Sequence, residues 1–355
     1  MFHYVLRLTT YLRHAKARRA DGVQLILTVV LLIVLGTIGF YFTEHDAALA
    51  DVDGTVEKLR MSAWWTVVTM TTVGYGDFYP STWAGQWLVA VPIMVLGIGV
   101  LGYAIGVVTS VVIDFHSKEA RGMVPYTGQG HLVICNCPSA EVVEEVMREI
   151  RADEHWKGHD LVLVTDAFEE LPERLSGTGV SFVSGNPGRE ATLEKANITK
   201  AERVMILGQD PSDVDCDAVT LGVLVTVRAL APEVYVVAEC ISEENHKLLR
   251  NAGVSEVVAA GSLRAEMLVQ GLLDPGVSGL LQELLSNTTG NQFYLTPLQQ
   301  FSGSYGELDE QSRSKGYLLM GYTKDGERHL LPAADSRLDK ACSAILVGKV
   351  RPDWL

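Results

Sequence analysis

Two long runs without a charged residue, residues 23–43 and 84–113, constrain this chain more than any other feature. Each supplies the roughly twenty apolar residues needed to cross ~30 Å of hydrocarbon. Inside a bilayer every backbone N–H and C=O must find its partner within the protein, so both runs are expected to be helical. The first span is set at residues 23–43 and the second at 84–115. The stretch between them holds no third crossing. Any irregular backbone it places at membrane depth must be buried in protein or line water.

That stretch is informative. Residues 61–71 read as a short helix that dips in and returns as an extended segment, with Trp64 and Trp65 packing the wall and anchoring at the interface. The return carries Thr72-Val73-Gly74-Tyr75-Gly76-Asp77. Its first five residues resemble the selectivity-filter signature of potassium channels, in which inward backbone carbonyls replace the hydration shell of K⁺. Gly74 and Gly76 tolerate the dihedrals this needs because they lack Cβ. The resemblance makes Thr72, Val73, Gly74 and Tyr75 the K⁺ ligands, with Thr72 adding its hydroxyl. Tyr75 is expected to pack outward and hold the ring open, and Asp77 to tie down the outer mouth.

Topology follows from charge. Residues 1–22 form a basic arm (Arg7, Arg13, Lys16, Arg18, Arg19), and Val5, Leu8 and Leu12 give it an apolar stripe for the membrane surface. The positive-inside rule places this N-terminus in the cytoplasm. Residues 44–60 form an outer turret in which Glu44, Asp46, Asp51, Asp53 and Glu57 outweigh Lys58 and Arg60. It reads equally as an acidic vestibule that concentrates cations or as a solvated loop. In the second span, Gly97 and Gly99 are candidates for a gating hinge, while close packing suits Gly102-x-x-x-Gly106. Pro92 is expected to add a kink, and Asp114, repeated by symmetry, an acidic ring. Neither span is rich in arginine, which excludes a voltage sensor of the usual kind.

The remainder reads as soluble. Of the formal charge of −14, residues 116–355 carry −13, from twenty-two Lys/Arg and thirty-five Asp/Glu. That balance argues against nucleic acid as a partner. All five cysteines (Cys135, Cys137, Cys216, Cys240, Cys342) fall in this part; their odd number and spacing suggest reduced, buried thiols. Residues 116–130 are a linker broken by Gly122, Pro125, Gly128 and Gly130. Apolar runs then recur at 132–135, 161–165, 180–183, 204–207, 234–238 and 257–260. They are continuous rather than alternating, as in strands buried on both faces of a parallel sheet. Val142, Val143, Val146, Met147 and Ile150 share one helical face between the first two runs, and Asp213 and Ser242 are candidate N-caps of later helices. Residues 131–260 are therefore expected to form a doubly wound α/β fold of Rossmann type. Residues 261–290 carry a helical crossover (263–273, 277–285). Residues 291–355 form a small α+β lobe with strands at 317–322, 329–331 and 344–350.

Two spans, a filter, a linker and a Rossmann-like domain with a crossover and small lobe are similar to prokaryotic potassium channels with cytosolic RCK (regulator of K⁺ conductance) domains. Leu193-Glu194-Lys195-Ala196-Asn197, Ala201-x-Arg203-Val204, Ala231-x-Glu233 with Ala238-Glu239, and Asn251-Ala252-Gly253-Val254 carry the resemblance in the soluble part. It implies a multi-pass protein of the plasma (inner) membrane, with a cytoplasmic RCK domain and no enzymatic activity. RCK domains pair through the crossover into a gating ring, and ligand binding pulls on the inner helices. One filter strand cannot surround an ion, so a homotetramer is expected. A ring of eight RCK domains would need extra soluble copies, for which Met123 is a candidate start.

The gating ligand is less legible. The glycine-rich turn of a dinucleotide site is expected after the first strand, but Asn136-Cys137-Pro138-Ser139-Ala140 stands there. Asp166 lies where a ribose-binding carboxylate would, or else caps a helix. Gly185-Asn186 replaces a Gly-Asp pair. An adenine nucleotide thus points to Asn136, Cys137, Asp166 and Asn186. Calcium points to Glu239, the one carboxylate kept where calcium-gated members have a cluster; Leu207 and Ile241 fill the other positions. The acidic run Asp210, Asp213, Asp215, Asp217 lacks the glycine and terminal glutamate of an EF-hand. A potassium-uptake transporter would need several pore repeats. A tethered NAD-dependent enzyme would need an intact glycine turn, and an ATP-driven pump a phosphate-binding G-x-x-x-x-G-K-[ST] loop.

Overall fold

The computed structural model describes residues 19–355 apart from Val214 and Gln300, with side chains from residue 22 onward. The basic arm expected over residues 1–22 therefore lies almost wholly outside the described residues. The chain divides into two units, Met1–Lys118 and Glu119–Leu355.

In the first unit, α1 (Arg19–Glu44) is followed by α2 (Thr55–Met70), a π-helical turn (Gly85–Ala90) and α3 (Val91–Ala120). Gly22–Glu44 and Gly85–Ala120 are long and apolar enough to cross a membrane, with mean hydropathies of 2.6 and 2.4. The short helix expected at residues 61–71 begins earlier, at Thr55. Its first turns are polar, and Glu57 pairs with Arg60 three residues on. The irregularity expected at Pro92 takes the form of the π-turn just before it, where Val91 N–H reaches back to Gln86 O. A proline ring crowds the carbonyl four residues back and has no N–H to offer it; the wider turn absorbs both. Phe40 stacks on Trp65 at 4.2 Å in a core with Leu49, Met70 and Ile93.

The second unit opens with residues 119–130. A linker free of helix is expected over 116–130. Instead, α3 continues to Ala120 and the rest is laid onto the sheet domain. Leu171 N–H donates to Ala120 O (2.8 Å), Ser184 N–H to Gly122 O (3.0 Å), Tyr126 N–H to Lys195 O (2.8 Å) and Gly130 N–H to Lys200 O (2.9 Å). The Tyr126 ring packs on His131 at 4.5 Å and its hydroxyl donates to Asp160 (2.7 Å).

The domain that follows is a parallel sheet of β1 (His131–Cys135), β2 (Leu161–Thr165), β3 (Ser181–Ser184), β4 (Ala201–Ile206), β5 (Tyr235–Cys240) and β6 (Glu256–Ala259). Its order is β3-β2-β1-β4-β5-β6, the doubly wound arrangement expected. Alternate residues of one strand enter different cores. Val133, Val162 and Val204 pack on Val223, Leu224 and Val227 of helix Cys216–Leu230. Leu132, Ile134 and Leu163 pack on Val143 and Met147 of helix Ala140–Ala152. Each fully buried aliphatic side chain contributes about 1.5–3 kcal/mol, and burial on both faces explains the unbroken apolar runs.

Helices Ala260–Leu273 and Val277–Leu285 lead to a lobe with strands β7 (Gln292–Pro297), β8 (Leu318–Lys324), β9 (Glu327–Leu330) and β10 (Cys342–Gly348). They form an antiparallel sheet in the order β9-β8-β10-β7. Two elements join those expected: β7, and a helix at Tyr305–Ser314 started by a capping box between Ser304 and Glu307.

Candidate functional site

The candidate filter grows from the end of α2. The last carbonyls of a helix lack intrahelical donors, and here the next residues supply them. Thr72 N–H donates to Thr69 O (3.1 Å), Val73 N–H to Val68 O (3.0 Å) and Thr71 Oγ1–H to Val67 O (2.8 Å). The chain then alternates in hand: φ is +62° at Thr72, +58° at Gly74 and +76° at Gly76, while Val73, Tyr75 and Asp77 keep negative φ. A strand of one hand throws successive carbonyls to opposite sides. Alternating hands turns them to one side, as a row of cation-binding oxygens requires. The two glycines accept this freely. Thr72, which the sequence does not mark for this conformation, accepts it at a cost of about 1–2 kcal/mol.

The flanks of this segment are held. Trp64 Nε1–H donates to Asp77 Oδ2 (2.8 Å), Phe78 N–H to Asp77 Oδ1 (3.1 Å), and Trp64 stacks on Tyr75 at 5.9 Å. Trp65 does not join the wall as expected; it turns away to Phe40. Glu44 also departs from its expected place among solvated turret charges. It is fully buried and accepts from Ser81 N–H and Oγ–H and from Thr82 N–H and Oγ1–H.

The two hinge candidates differ. A Cβ on Gly97 would lie 2.8 Å from Met70 Cα and 3.0 Å from Met70 O, so this glycine is a close-packing position against the base of the filter. Gly99 has nothing within 4 Å of the same point. Asp114 pairs with Lys118 (3.2 Å).

The candidate ligand residues lie together along the carboxyl edge of the parallel sheet, where doubly wound folds bind. Asn136, just beyond β1, takes φ +66°, so an asparagine supplies the left-handed turn that the missing glycine would have made. Its side chain is committed: Nδ2–H donates to Leu207 O (2.9 Å) across the switch between β1 and β4. Cys137 is buried, and burial, with Glu141 nearby, pushes its thiol up to about 11. Asp166 is exposed at the end of β2. Asn186 Oδ1 accepts from Gly188 N–H (2.7 Å), closing its own turn. Glu239 Oε2 accepts from Gly208 N–H (2.8 Å).

The acidic run is spent on local structure. Asp210 accepts from Ser212. Asp213 accepts from Asp215 N–H (3.0 Å) rather than capping the helix, whose N-cap is Asp215. Asp217 is almost fully buried and accepts from Ile241 N–H (2.8 Å), Ser242 N–H (2.9 Å) and Asn245 Nδ2–H (2.9 Å). Burial alone would push that carboxyl up, but these bonds outweigh it and hold it below the usual range. Ser242 makes no side-chain cap. Among the described residues no cluster of three His, Cys, Asp or Glu side chains is arranged to hold a metal ion.

Comparison with known proteins agrees with both units. Residues 27–114 match the ion channel family Ion_trans_2 and residues 140–260 the TrkA-N domain. The calcium-gated potassium channel TvoK of Thermoplasma volcanium is 27% identical, over 75% of this chain and 73% of that one. The putative potassium channel protein YugO of Bacillus subtilis is 26% identical, over 58% of this chain and 61% of its own. Among solved structures, the human SLO3 gating ring aligns with TM-score 0.50 at 16% identity, covering 62% of this chain and 44% of that one; this likeness concerns the fold alone. With its ion-channel unit joined to a TrkA-N (RCK) unit, the chain is similar to potassium channels that carry an RCK domain.

Proposed function

We propose that four copies of this chain form a K⁺-selective pore, opened or closed by a ligand bound to the RCK domain. The observation that carries this reading is the alternation of left-handed φ at Thr72, Gly74 and Gly76 within a Thr-Val-Gly-Tyr-Gly sequence. One such segment offers oxygens on one side of an ion only, and four related by symmetry enclose it. In this reading Gly99 is the point where the inner helix bends. The RCK domain lies in the cytoplasm, pairs through its crossover helices into a ring, and pulls the inner helices through the strap of residues 119–130. Soluble copies starting at Met123 would lack Ala120 and Gly122 but keep the Tyr126 contacts, and so could still join a ring.

For the ligand, an adenine nucleotide is favoured by the left-handed Asn136 at the switch point and the open carboxylate of Asp166 on the neighbouring strand. Calcium is the second reading. TvoK is calcium-gated by name, and Glu239 lies at the corresponding edge here. A ligand that binds only the native state raises its stability, by about 2.7 kcal/mol at a hundred times Kd. A thermal shift of the full-length protein with ATP, ADP or NAD, lost in Asp166→Ala, supports a nucleotide; one with Ca²⁺, lost in Glu239→Gln, supports calcium. The pore itself is tested in liposomes loaded with K⁺, where ligand-dependent uptake of tracer K⁺ without Na⁺ uptake is expected. Equal uptake of both ions, or of neither under every ligand, refutes the reading.

A further inference from the structure

The helix that follows the candidate ligand turn also reaches the crossover. It runs from Ala140 to Ala152, about 20 Å at 1.5 Å per residue. Its start is fixed by the turn: Ser139 Oγ accepts from Val142 N–H (3.3 Å), two residues after the buried Cys137. Near its other end stands Glu149, whose carboxylate accepts from Ser286 Oγ–H (3.0 Å) and from Asn287 N–H. Asn287 Nδ2–H donates as well, to the backbone O of Glu149 (3.2 Å). Ser286 and Asn287 directly follow the second crossover helix, Val277–Leu285.

This clamp is polar, and it stands where packing is thin. No residue of Val277–Leu285 is buried, and none joins the core that helix Ala140–Ala152 shares with the sheet. A groove of about 790 Å³ opens instead between Arg148, Gly279, Gln282 and Thr289. The segment behind the clamp is braced in turn. Asn291 N–H donates to Glu283 Oε1 (3.2 Å), and Gly290 passes so close to Glu283 that a Cβ there would collide with it. β7 begins at the next residue, Gln292. Glu149 thus grips the joint between the crossover helices and the C-terminal lobe.

We infer that Glu149 is a positioning residue for gating. A ligand that displaces the turn at residues 136–139 slides the helix along the sheet. The clamp then carries that shift to residues 286–291, and so to crossover and lobe. Shifts of about 1–2 Å between packed elements suffice for such switching. Glu149 lies ten residues beyond Ser139, about 15 Å along the helix, and touches no ligand bound at the turn. The inference rests on the reading of that turn as a nucleotide site, and deepens it.

The test uses the full-length protein with ATP, ADP and NAD as probes. Melting reports binding, hydrogen exchange at residues 286–291 reports the joint, and single-channel recording reports the gate. In wild type, a probe that raises the melting temperature should also change exchange at 286–291 and open probability. Glu149→Gln keeps the size of the side chain but turns an NH₂ toward donors, breaking at least one charge-assisted bond. Its melting should still respond to the probe. Its exchange response should vanish, and the ratio of open probabilities with and without probe should fall about tenfold. Lost packing alone would lower melting without separating binding from gating. Ser286→Ala deletes one donor and should reduce the ratio several-fold. Arg351→Gln frees Asp153 (3.4 Å) just past the same helix end but leaves the clamp, and should respond as wild type does. A Glu149→Gln protein whose exchange and gating follow the probe as in wild type overturns the inference. So does wild-type exchange at 286–291 that ignores a bound probe, or an equal loss in Arg351→Gln. Should Glu149→Gln fail to fold, an unchanged gating ratio in Ser286→Ala overturns it instead. A wild type that none of the three probes stabilises removes the nucleotide reading and this inference with it, whereas a wild type that binds a probe beside variants that gate normally removes the inference alone.

Discussion

Gly97→Ala and Gly99→Ala add the same methyl group two residues apart on one helix, yet opposite outcomes are expected. In a helix interior, alanine is favoured over glycine by about 1 kcal/mol. At Gly97 that gain meets an obstruction, because the new Cβ would lie 2.8 Å from Met70 Cα. Backbone cannot swing aside as a flexible side chain does. Overpacking of this kind costs about 1–3 kcal/mol, so each subunit loses ~0–2 kcal/mol at the base of the filter. At Gly99 nothing lies within 4 Å, and the full ~1 kcal/mol stiffens a straight helix. If opening requires a bend there in every subunit of the proposed tetramer, the penalty sums to ~4 kcal/mol. That is about a thousandfold shift toward the closed state. The assay is a pair of measurements on purified channel: melting of the assembled channel in detergent, and open probability at saturating ligand. Gly97→Ala should melt earlier than wild type. Gly99→Ala should melt no earlier but open far less often. A Gly97→Ala channel more stable than wild type refutes the packing argument, and a Gly99→Ala channel that opens normally refutes the hinge.

Further outcomes follow from the same geometry. Asn136→Ala keeps a Cβ at φ +66° without asparagine's tolerance of that conformation and strands Leu207 O; melting of the RCK domain should fall by the equivalent of about 1–3 kcal/mol, whereas Asn136→Gly should lose the side-chain bond but relax the backbone and so fall less. His131 is fully buried; its Nε2 meets Ala196 O (2.9 Å), and burial lowers its pKa despite that bond and nearby Asp160. The folded state therefore favours neutral imidazole. Stability should be intact above the unfolded value near 6.5 and drop as pH falls below it. Thermal melts from pH 7.5 to 5 should show this slope, and His131→Gln should flatten it. Trp64→Phe keeps the stack on Tyr75 but removes the donor to Asp77, so bilayer recordings should show an unstable outer mouth, with more frequent brief closures and unchanged ligand sensitivity.

What the sequence disclosed depended on the range of the forces involved. The doubly wound sheet was legible because burial on both faces writes itself as unbroken apolar runs, and the spans because hydrocarbon admits few residue types. The left-handed Thr72 was not, since nothing local marks a threonine for that conformation; it is imposed by the alternation of its neighbours. Glu44 looked like any turret acid because its four donors come from Ser81 and Thr82, far along the chain. The glycines at 122, 128 and 130 signalled a break, but could not say that the broken segment lies on β3 and the 3₁₀ turn at Ile198–Lys200. Helix Tyr305–Ser314 is mostly polar; its one local signal was Ser304-x-x-Glu307, the capping box that the structure contains. In the RCK domain the dinucleotide motif calls for glycine where Asn136 stands. The physical requirement was a left-handed residue, which asparagine also meets.

The central claim is selective conduction of K⁺ under ligand control. It is tested most directly by the reversal potential of single channels in a planar bilayer, with K⁺ on one side, Na⁺ on the other, and ATP, ADP, NAD or Ca²⁺ applied to the RCK face. The account predicts currents that reverse close to the K⁺ equilibrium potential and change in open probability with at least one of these ligands. A reversal potential near zero, or openings indifferent to every one of them, would contradict it.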